Sequence, residues 1–270
     1  MTRKTPANGQ TAPSTPAAPV TPGPEVPPPM FYSRPEPVRA ENHSGVSVRP
    51  EMDFSFAAHV NTVPVTLPEF MMAARHYPIM FLGPELVPTA ALGFNPQLNL
   101  FVNSNGEWAM GQYIPAYVRR YPFILLGAEG SDVLHLGIDG PAVSAKPGAR
   151  PLFENGEQTA ATKQAVELCE QFHQAYMFTR DFSKALADSG IIEERQLEVE
   201  TSPGQKTQLG AFKRVSEDKF RQLPDATVLD WFKKGYMYGI YFHLQSMNNW
   251  ELLMARNALV AQAASQVAAL

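Results

Sequence analysis

Two stretches of this chain repeat one another at a fixed spacing, and that repetition limits the available folds more than any other feature. Arg75-His76-Tyr77-Pro78-Ile79-Met80-Phe81-Leu82-Gly83 aligns with Arg119-Arg120-Tyr121-Pro122-Phe123-Ile124-Leu125-Leu126-Gly127 at an offset of 44 residues. Arg, Tyr, Pro, Leu and Gly coincide, and the same offset pairs Glu85 with Glu129 and Leu92-Gly93 with Leu136-Gly137. Upstream, Leu67-Pro68-Glu69-Phe70 resembles Ile114-Pro115-Ala116-Tyr117. Downstream, Leu100-Phe101 and Asn105-Gly106-Glu107 resemble Leu152-Phe153 and Asn155-Gly156-Glu157. Matches kept in one order read as a duplicated structural unit, covering about 67–107 and 114–157.

Each copy has a physical reading. Pro68 and Pro115 suit the first turn of a short helix, where a missing N–H costs nothing. Tyr-Pro then ends that helix, because the residue before proline is pushed into extended geometry. The apolar runs 79–82 and 123–126 are short and glycine-bounded, as buried strands are. A second strand follows over 132–139, with Leu134, Leu136 and Ile138 alternating onto one face. Asn-Gly at 105–106 and 155–156 marks tight turns. Two copies are too few for a solenoid, so they are expected to form halves of one mostly antiparallel β body.

The C-terminal part changes period. Apolar residues at 168, 172, 176 and at 178, 182, 186 predict a helix over 159–189, closed by Gly190. Segments 197–201 and 208–215 read as a strand pair across Ser202-Pro203-Gly204. Ser216 starts a short helix. Asp225 is expected to cap a second long helix holding Leu229, Phe232, Tyr236, Ile240, His243 and Met247. Gly235 and Gly239 would leave a shallow stripe on it for close backbone approach, and Asn248-Asn249 is a candidate bend before 250–260.

The fold class expected is therefore α+β: a mostly antiparallel β body from a duplicated helix-strand-strand unit, with two long C-terminal helices packed on it. Residues 1–29 carry nine prolines and no aromatic residue. Such a segment buries too little apolar surface to offset its ordering entropy, so a disordered arm is expected there; Met30 offers an alternative start. One domain is expected over 30–260, followed by an alanine-rich tail at 261–270.

Composition removes several function classes. The net charge is −4, with 22 basic and 26 acidic side chains and no basic run, which argues against nucleic acid as a partner. No apolar run approaches the ~20 residues that span a bilayer, so no transmembrane segment is expected, and no signal peptide is visible. Cys169 is the one cysteine and reads as a buried, inert thiol.

No nucleotide-binding, zinc-protease, nucleophile-elbow or paired C-x-x-C pattern occurs. His135 and Asp139 share a face of an extended strand but lie about 13 Å apart at ~3.3 Å per residue. They are read as solvated polar residues, and neither a metal nor a cofactor is expected. Arg75 and Arg119 are placed equivalently by the duplication and could converge on a carboxylate or phosphate. The plainer reading, in which each pairs a nearby carboxylate or helix-end carbonyl, is favoured. Arg120 adds positive charge in the second copy alone. Trp108, Tyr113, Tyr117 and Tyr121 cluster between the units, as core or as a binding groove. The candidate ligand-binding set is Arg75, Arg119, Arg120, Tyr77, Tyr121 and Trp108, and no catalytic residue is identified.

Several of these segments also resemble the SapC family of bacterial proteins. They are Phe54-Ser55-Phe56-Ala57-Ala58, Val63-Pro64 with Glu69-Phe70, Tyr77-Pro78-Ile79, Asn99-Leu100-Phe101-Val102, Gly106-Glu107-Trp108, Tyr113-Ile114-Pro115-Ala116 with Arg119-Arg120-Tyr121-Pro122-Phe123, and Tyr241-Phe242-His243-Leu244-Gln245-Ser246-Met247. The resemblance covers about 30–257 and leaves out the proline-rich arm. It implies an accessory or binding role in surface-layer or envelope biogenesis. The partner would be another protein, an envelope or secretion component, and the location cytoplasmic or envelope-associated. It supplies no catalytic residues. A peptide-transport permease shares the family's name, but this chain lacks the spanning helices a permease needs. The alternative is a cytosolic enzyme or ligand-binding protein acting on a small anionic molecule, an amino acid or a peptide.

Overall fold

Short apolar runs flanked by proline and glycine become the central strands, and the longest amphipathic run becomes the helix that joins the sheets. A computed structural model describes residues 28–48, 53–127, 133–140, 149–202 and 205–268. Most of the proline-rich arm, Glu129, Asp132 and the Pro203-Gly204 turn lie outside the described residues.

The strands, in chain order, begin with β1 (Pro35–Pro37), β2 (Ser47–Val48), β3 (Thr62–Pro64), β4 (Ile79–Leu82) and β5 (Val87–Ala91). They continue with β6 (Phe123–Gly127), β7 (Leu134–Asp139), β8 (Arg150–Pro151), β9 (Phe153–Glu154) and β10 (Glu157–Gln158). Last come β11 (Ile192–Ser202) and β12 (Gln205–Val215). Three one-turn helices, α1 (Ala40–His43), α2 (Phe70–Ala73) and α3 (Ala116–Arg119), precede the long α4 (Ala160–Ser189). The C-terminal helices are α5 (Glu217–Arg221), α6 (Asp225–Lys233), α7 (Tyr236–Ser246) and α8 (Asn249–Ala268). Among the described residues, no helix is long and apolar enough to cross a membrane.

The architecture is α+β. A five-stranded antiparallel sheet runs β11-β12-β4-β5-β3, and a separate three-stranded sheet runs β1-β7-β6. The segments that match in sequence each fold as a short helix followed by a two-stranded hairpin, α2-β4-β5 and α3-β6-β7, in different sheets. Their registers differ. Ile79 pairs with Ala90, whereas Phe123 pairs with Ile138, so the second hairpin has the longer connection.

Helix α4 starts as its chemistry dictates. The Thr159 hydroxyl accepts from the Thr162 N–H, and Gly190 ends the helix in the left-handed region at φ 70°, where only glycine is free of strain. Its inner stripe is Thr162, Ala165, Cys169, Phe172, Thr179, Phe182, Ser183 and Leu186. Tyr176 falls on that stripe by spacing yet remains 48% exposed.

The expected second long helix is broken twice. Gly235 takes φ 75°, separating α6 from α7, and the chain turns again at Met247-Asn248 before α8. With α6 swung away, Leu229 and Phe232 stand 55% and 72% exposed instead of lining the core. Of the glycine pair, Gly239 alone makes the close approach. A Cβ there would sit 2.2 Å from Leu67 Cδ1, while Gly235 serves as the breaker. Asp225 is the first residue of α6 and the cap position is Pro224. Residues 261–268 continue α8.

Polar residues of α7 and α8 satisfy the backbone around Tyr77-Pro78. His243 Nδ1 donates to the Ile79 carbonyl at 2.8 Å, and its Nε2 accepts from the Val215 N–H at 3.0 Å. Ser246 accepts from the Ile79 N–H, and Asn249 donates to the Ala74 and Tyr77 carbonyls. These residues lock β4, β12 and the C-terminal helices into one core.

Candidate functional site

Arg120 is the C-cap of α3, one residue beyond a single helical turn. That turn is fixed at its start by Glu69, whose Oε1 accepts from the Ala116 N–H at 2.6 Å and the Tyr113 hydroxyl at 2.9 Å. Tyr117, three residues before Arg120, shares its face of the turn. Against this face α4 packs Phe172 and Cys169, and the chain from Pro29 to Tyr32 closes the near side. Phe31 adopts φ 78° there, a strained conformation for a bulky residue. It is held by edge contacts to Phe56 and Tyr121 and a tilted one to Tyr117.

The guanidinium is caged by aromatic rings. Its carbon lies 4.4 Å from the Phe172 centroid, 4.5 Å from that of Tyr117 and 5.5 Å from that of Tyr32. Arg120 is 9% exposed, and its Nε has no hydrogen-bond partner. Among the described residues no carboxylate forms an ion pair with it. Taking an ion from water costs several kcal/mol, and each desolvated cation–π contact returns only about 2 kcal/mol. The side chain lines a cavity of 380 Å³, together with Pro64, Val87, Ile124, Leu125, Cys169 and Tyr176.

The two phenols and the thiol beside Arg120 stay protonated. Burial raises the Tyr32 and Tyr117 phenols above their ordinary range, with Arg120 opposing the shift. Burial also pushes the Cys169 thiol up to about 11, against the same partial opposition. Both phenol protons are already committed, Tyr32 to the Phe123 carbonyl at 2.5 Å and Tyr117 to the Met30 carbonyl at 3.1 Å.

The other five residues singled out from sequence lie elsewhere. Arg119 is exposed and donates from Nε to the Ile114 carbonyl of its own turn at 3.0 Å. Arg75 is exposed just past the end of α2, and no hydrogen bond or ion pair among the described residues joins it to an acceptor shared with Arg119. Tyr77 and Trp108 are core residues. The Tyr77 hydroxyl donates to the Tyr113 carbonyl and accepts from Trp108 Nε1 at 3.1 Å. Tyr121 donates to Asp139 Oδ2 at 3.0 Å, and its ring packs 4.2 Å from that of Phe56.

Asp139 departs from its expected solvated position. It is fully buried and accepts from the Ser33 and Arg34 N–H groups at 2.9 and 2.8 Å. The N-terminal strand covers it, which strand alternation alone does not reveal. His135 is exposed, and among the described residues no trio of His, Cys, Asp or Glu is placed to hold a metal ion. Phe172 is the site residue that sequence reading treated only as helix stripe, and the Tyr117-Arg120 spacing was the available signal for the cage.

No curated protein and no solved structure matches this chain. A family model described as SapC matches residues 38–253, most of the chain, and the chain belongs to the SapC family.

Proposed function

We propose that this chain is a non-catalytic accessory or binding protein, and that the cleft at Arg120 receives the anionic group of its ligand. The observation that carries this reading is a buried guanidinium with aromatic rings around it, no ion-paired carboxylate among the described residues and a 380 Å³ cavity in front of it. Ligand pockets have this composition, mostly apolar with a few fixed polar groups, and run to ~300–1,000 Å³.

Catalysis finds less support in the same cleft. Cys169 and His173 line it one helical turn apart, but a thiol held at about 11 offers almost no thiolate at neutral pH. The resemblance to surface-layer-associated proteins supports a place in envelope biogenesis with a protein partner. The two helix-hairpin segments are read as duplicated units inside one domain.

Thermal unfolding with a panel of monoanions, dianions and neutral analogues tests the cleft. A ligand at a hundredfold its Kd adds about 2.7 kcal/mol to stability. Anions are expected to raise Tm, and Arg120→Met to abolish the rise while Arg120→Lys retains part of it. No stabilisation by any anion would sink the reading. Protease treatment of intact cells, followed by fractionation, tests the envelope link. A purely cytosolic pool with no envelope partner would count against it.

A further inference from the structure

We infer that the ligand of this cleft is a long-chain acyl carboxylate, its head on Arg120 and its hydrocarbon lying along α4 toward Thr179. This rests on the reading of the cleft as an anion site and adds the chemical class.

The cleft does not end at Phe172. A second cavity of 130 Å³ shares Pro64, Val87, Phe172 and Tyr176 with the first and reaches Thr179 and Ser183. From Cys169 to Ser183 the helix rises roughly 21 Å. Two side chains facing this trough are more exposed than their positions predict. Tyr176 lies on the buried stripe of α4 at 48% exposure, and Val87 begins a central strand at 37%. An apolar chain in the trough would cover both.

The head is a single negative charge. Arg120 is one cation, and the Tyr32 and Tyr117 hydroxyl protons beside it are committed to backbone carbonyls. A phosphate dianion would find, besides Arg120, only the exposed His173 ring and Tyr176 hydroxyl as further donors, whereas a carboxylate matches one guanidinium.

The walls favour hydrocarbon over peptide. Pro64 and Pro88 present no N–H to the trough. Its threonine and serine hydroxyls are spent internally: Thr66 donates to Glu69, Thr179 to the Ala175 carbonyl and Ser183 to the Leu86 carbonyl, which leaves the exposed Tyr176 hydroxyl as the one side-chain O–H facing out. A peptide would leave its amides unpaired there, at a cost an alkyl chain does not incur. Glu85 and Arg180 stand exposed at the far mouth. A head on Arg180 would remain in water, so Arg180 provides the control.

Calorimetric titration of the purified chain with acetate, hexanoate, octanoate, decanoate, decanol and a short apolar peptide with a free C-terminus tests the inference. Each added methylene is expected to tighten binding about fourfold until the trough is full. Decanol should bind at least about tenfold more weakly than decanoate, for want of the charged hydrogen bond. Arg120→Met should erase that preference, Arg120→Lys should keep most of it, and Arg180→Met should change neither ligand. Val87→Trp should weaken decanoate while sparing hexanoate, which keeps the proposal testable if Arg120→Met fails to fold. Acetate binding as tightly as decanoate would overturn the acyl class and leave the anion site standing, as would the peptide binding more tightly than decanoate. No binding by any acid, with no stabilisation by other anions, would overturn both.

Discussion

Ala116 donates its backbone N–H to Glu69 across 2.6 Å, so one buried carboxylate starts two helical turns forty-seven residues apart. On its other oxygen Glu69 accepts from the Thr66 N–H and hydroxyl at 2.8 and 2.7 Å, closing a capping box at the 3-10 turn Leu67–Glu69. The turn begun at Ala116 is the one that ends on Arg120, so Glu69 sets where the cleft's cation sits.

Replacing this carboxylate should be costly. Glu69→Ala leaves two buried backbone N–H groups and two hydroxyls without acceptors, and each stranded buried donor costs about 1–3 kcal/mol. A stability loss of about 3–5 kcal/mol is expected from urea unfolding. Glu69→Gln keeps one acceptor oxygen and should lose roughly half as much. A loss below about 1 kcal/mol for Glu69→Ala would mean that water replaces the carboxylate.

Local patterns carried much of the fold into the sequence, and long-range polar partners did not. The strand at Ile79–Leu82 and the helix from Thr159 to Gly190 follow from bounded apolar runs, a capping hydroxyl and a left-handed glycine, all short-range chemistry. The burial of Asp139 is not legible in its own strand because its donors are Ser33 and Arg34, more than a hundred residues away. The cleft was half legible for a related reason. The matched sequence drew attention to Arg75 and Arg119, but one residue on a helix is a turn of about 100°. That rotation separates a solvated Arg119 from a caged Arg120. Phe172, which completes the cage, comes from another element altogether.

His243 should make the fold sensitive to acid. It is wholly buried, and burial lowers its pKa to about 3, with the Ile79 hydrogen bond opposing and Arg214 adding slightly. The unfolded chain takes up this proton near pH 6.5 and the folded one only near 3. The stabilisation is therefore complete above pH 6.5 and is lost as pH falls toward 3. Between pH 6.5 and 5 the loss amounts to about 2 kcal/mol. Urea unfolding at several pH values should show this slope in the native protein and a flatter one in His243→Gln, whatever the variant's absolute stability. Equal slopes would mean that the proton enters the folded state.

Cys169 should be nearly inert until the protein opens. It is 2% exposed, and burial pushes its thiol up to about 11. Because the thiolate is the nucleophile, a disulfide reagent at pH 7.5 should react at least about a hundredfold more slowly with the native chain than with the urea-unfolded one. It is the sole cysteine, so the signal has one source. Equal rates would mean that the α4 cleft opens freely to solvent.

The contact between Gly239 and Leu67 gives the sharpest packing test. A methyl group on Gly239 would lie 2.2 Å from Leu67 Cδ1 and 3.7 Å from the Phe182 ring. Leu67 is fully buried, so its side chain must shift within a close-packed core. Gly239→Ala gains about 1 kcal/mol of helix propensity but forces overpacking that typically costs 1–3 kcal/mol, occasionally more. A net loss of up to about 2 kcal/mol is expected. Leu67→Val removes bulk at the point of collision, so the double variant should be more stable than the sum of the single losses by at least about 0.5 kcal/mol. Strict additivity would mean that α7 shifts as a body to admit the methyl group and that the close approach does not fix its position.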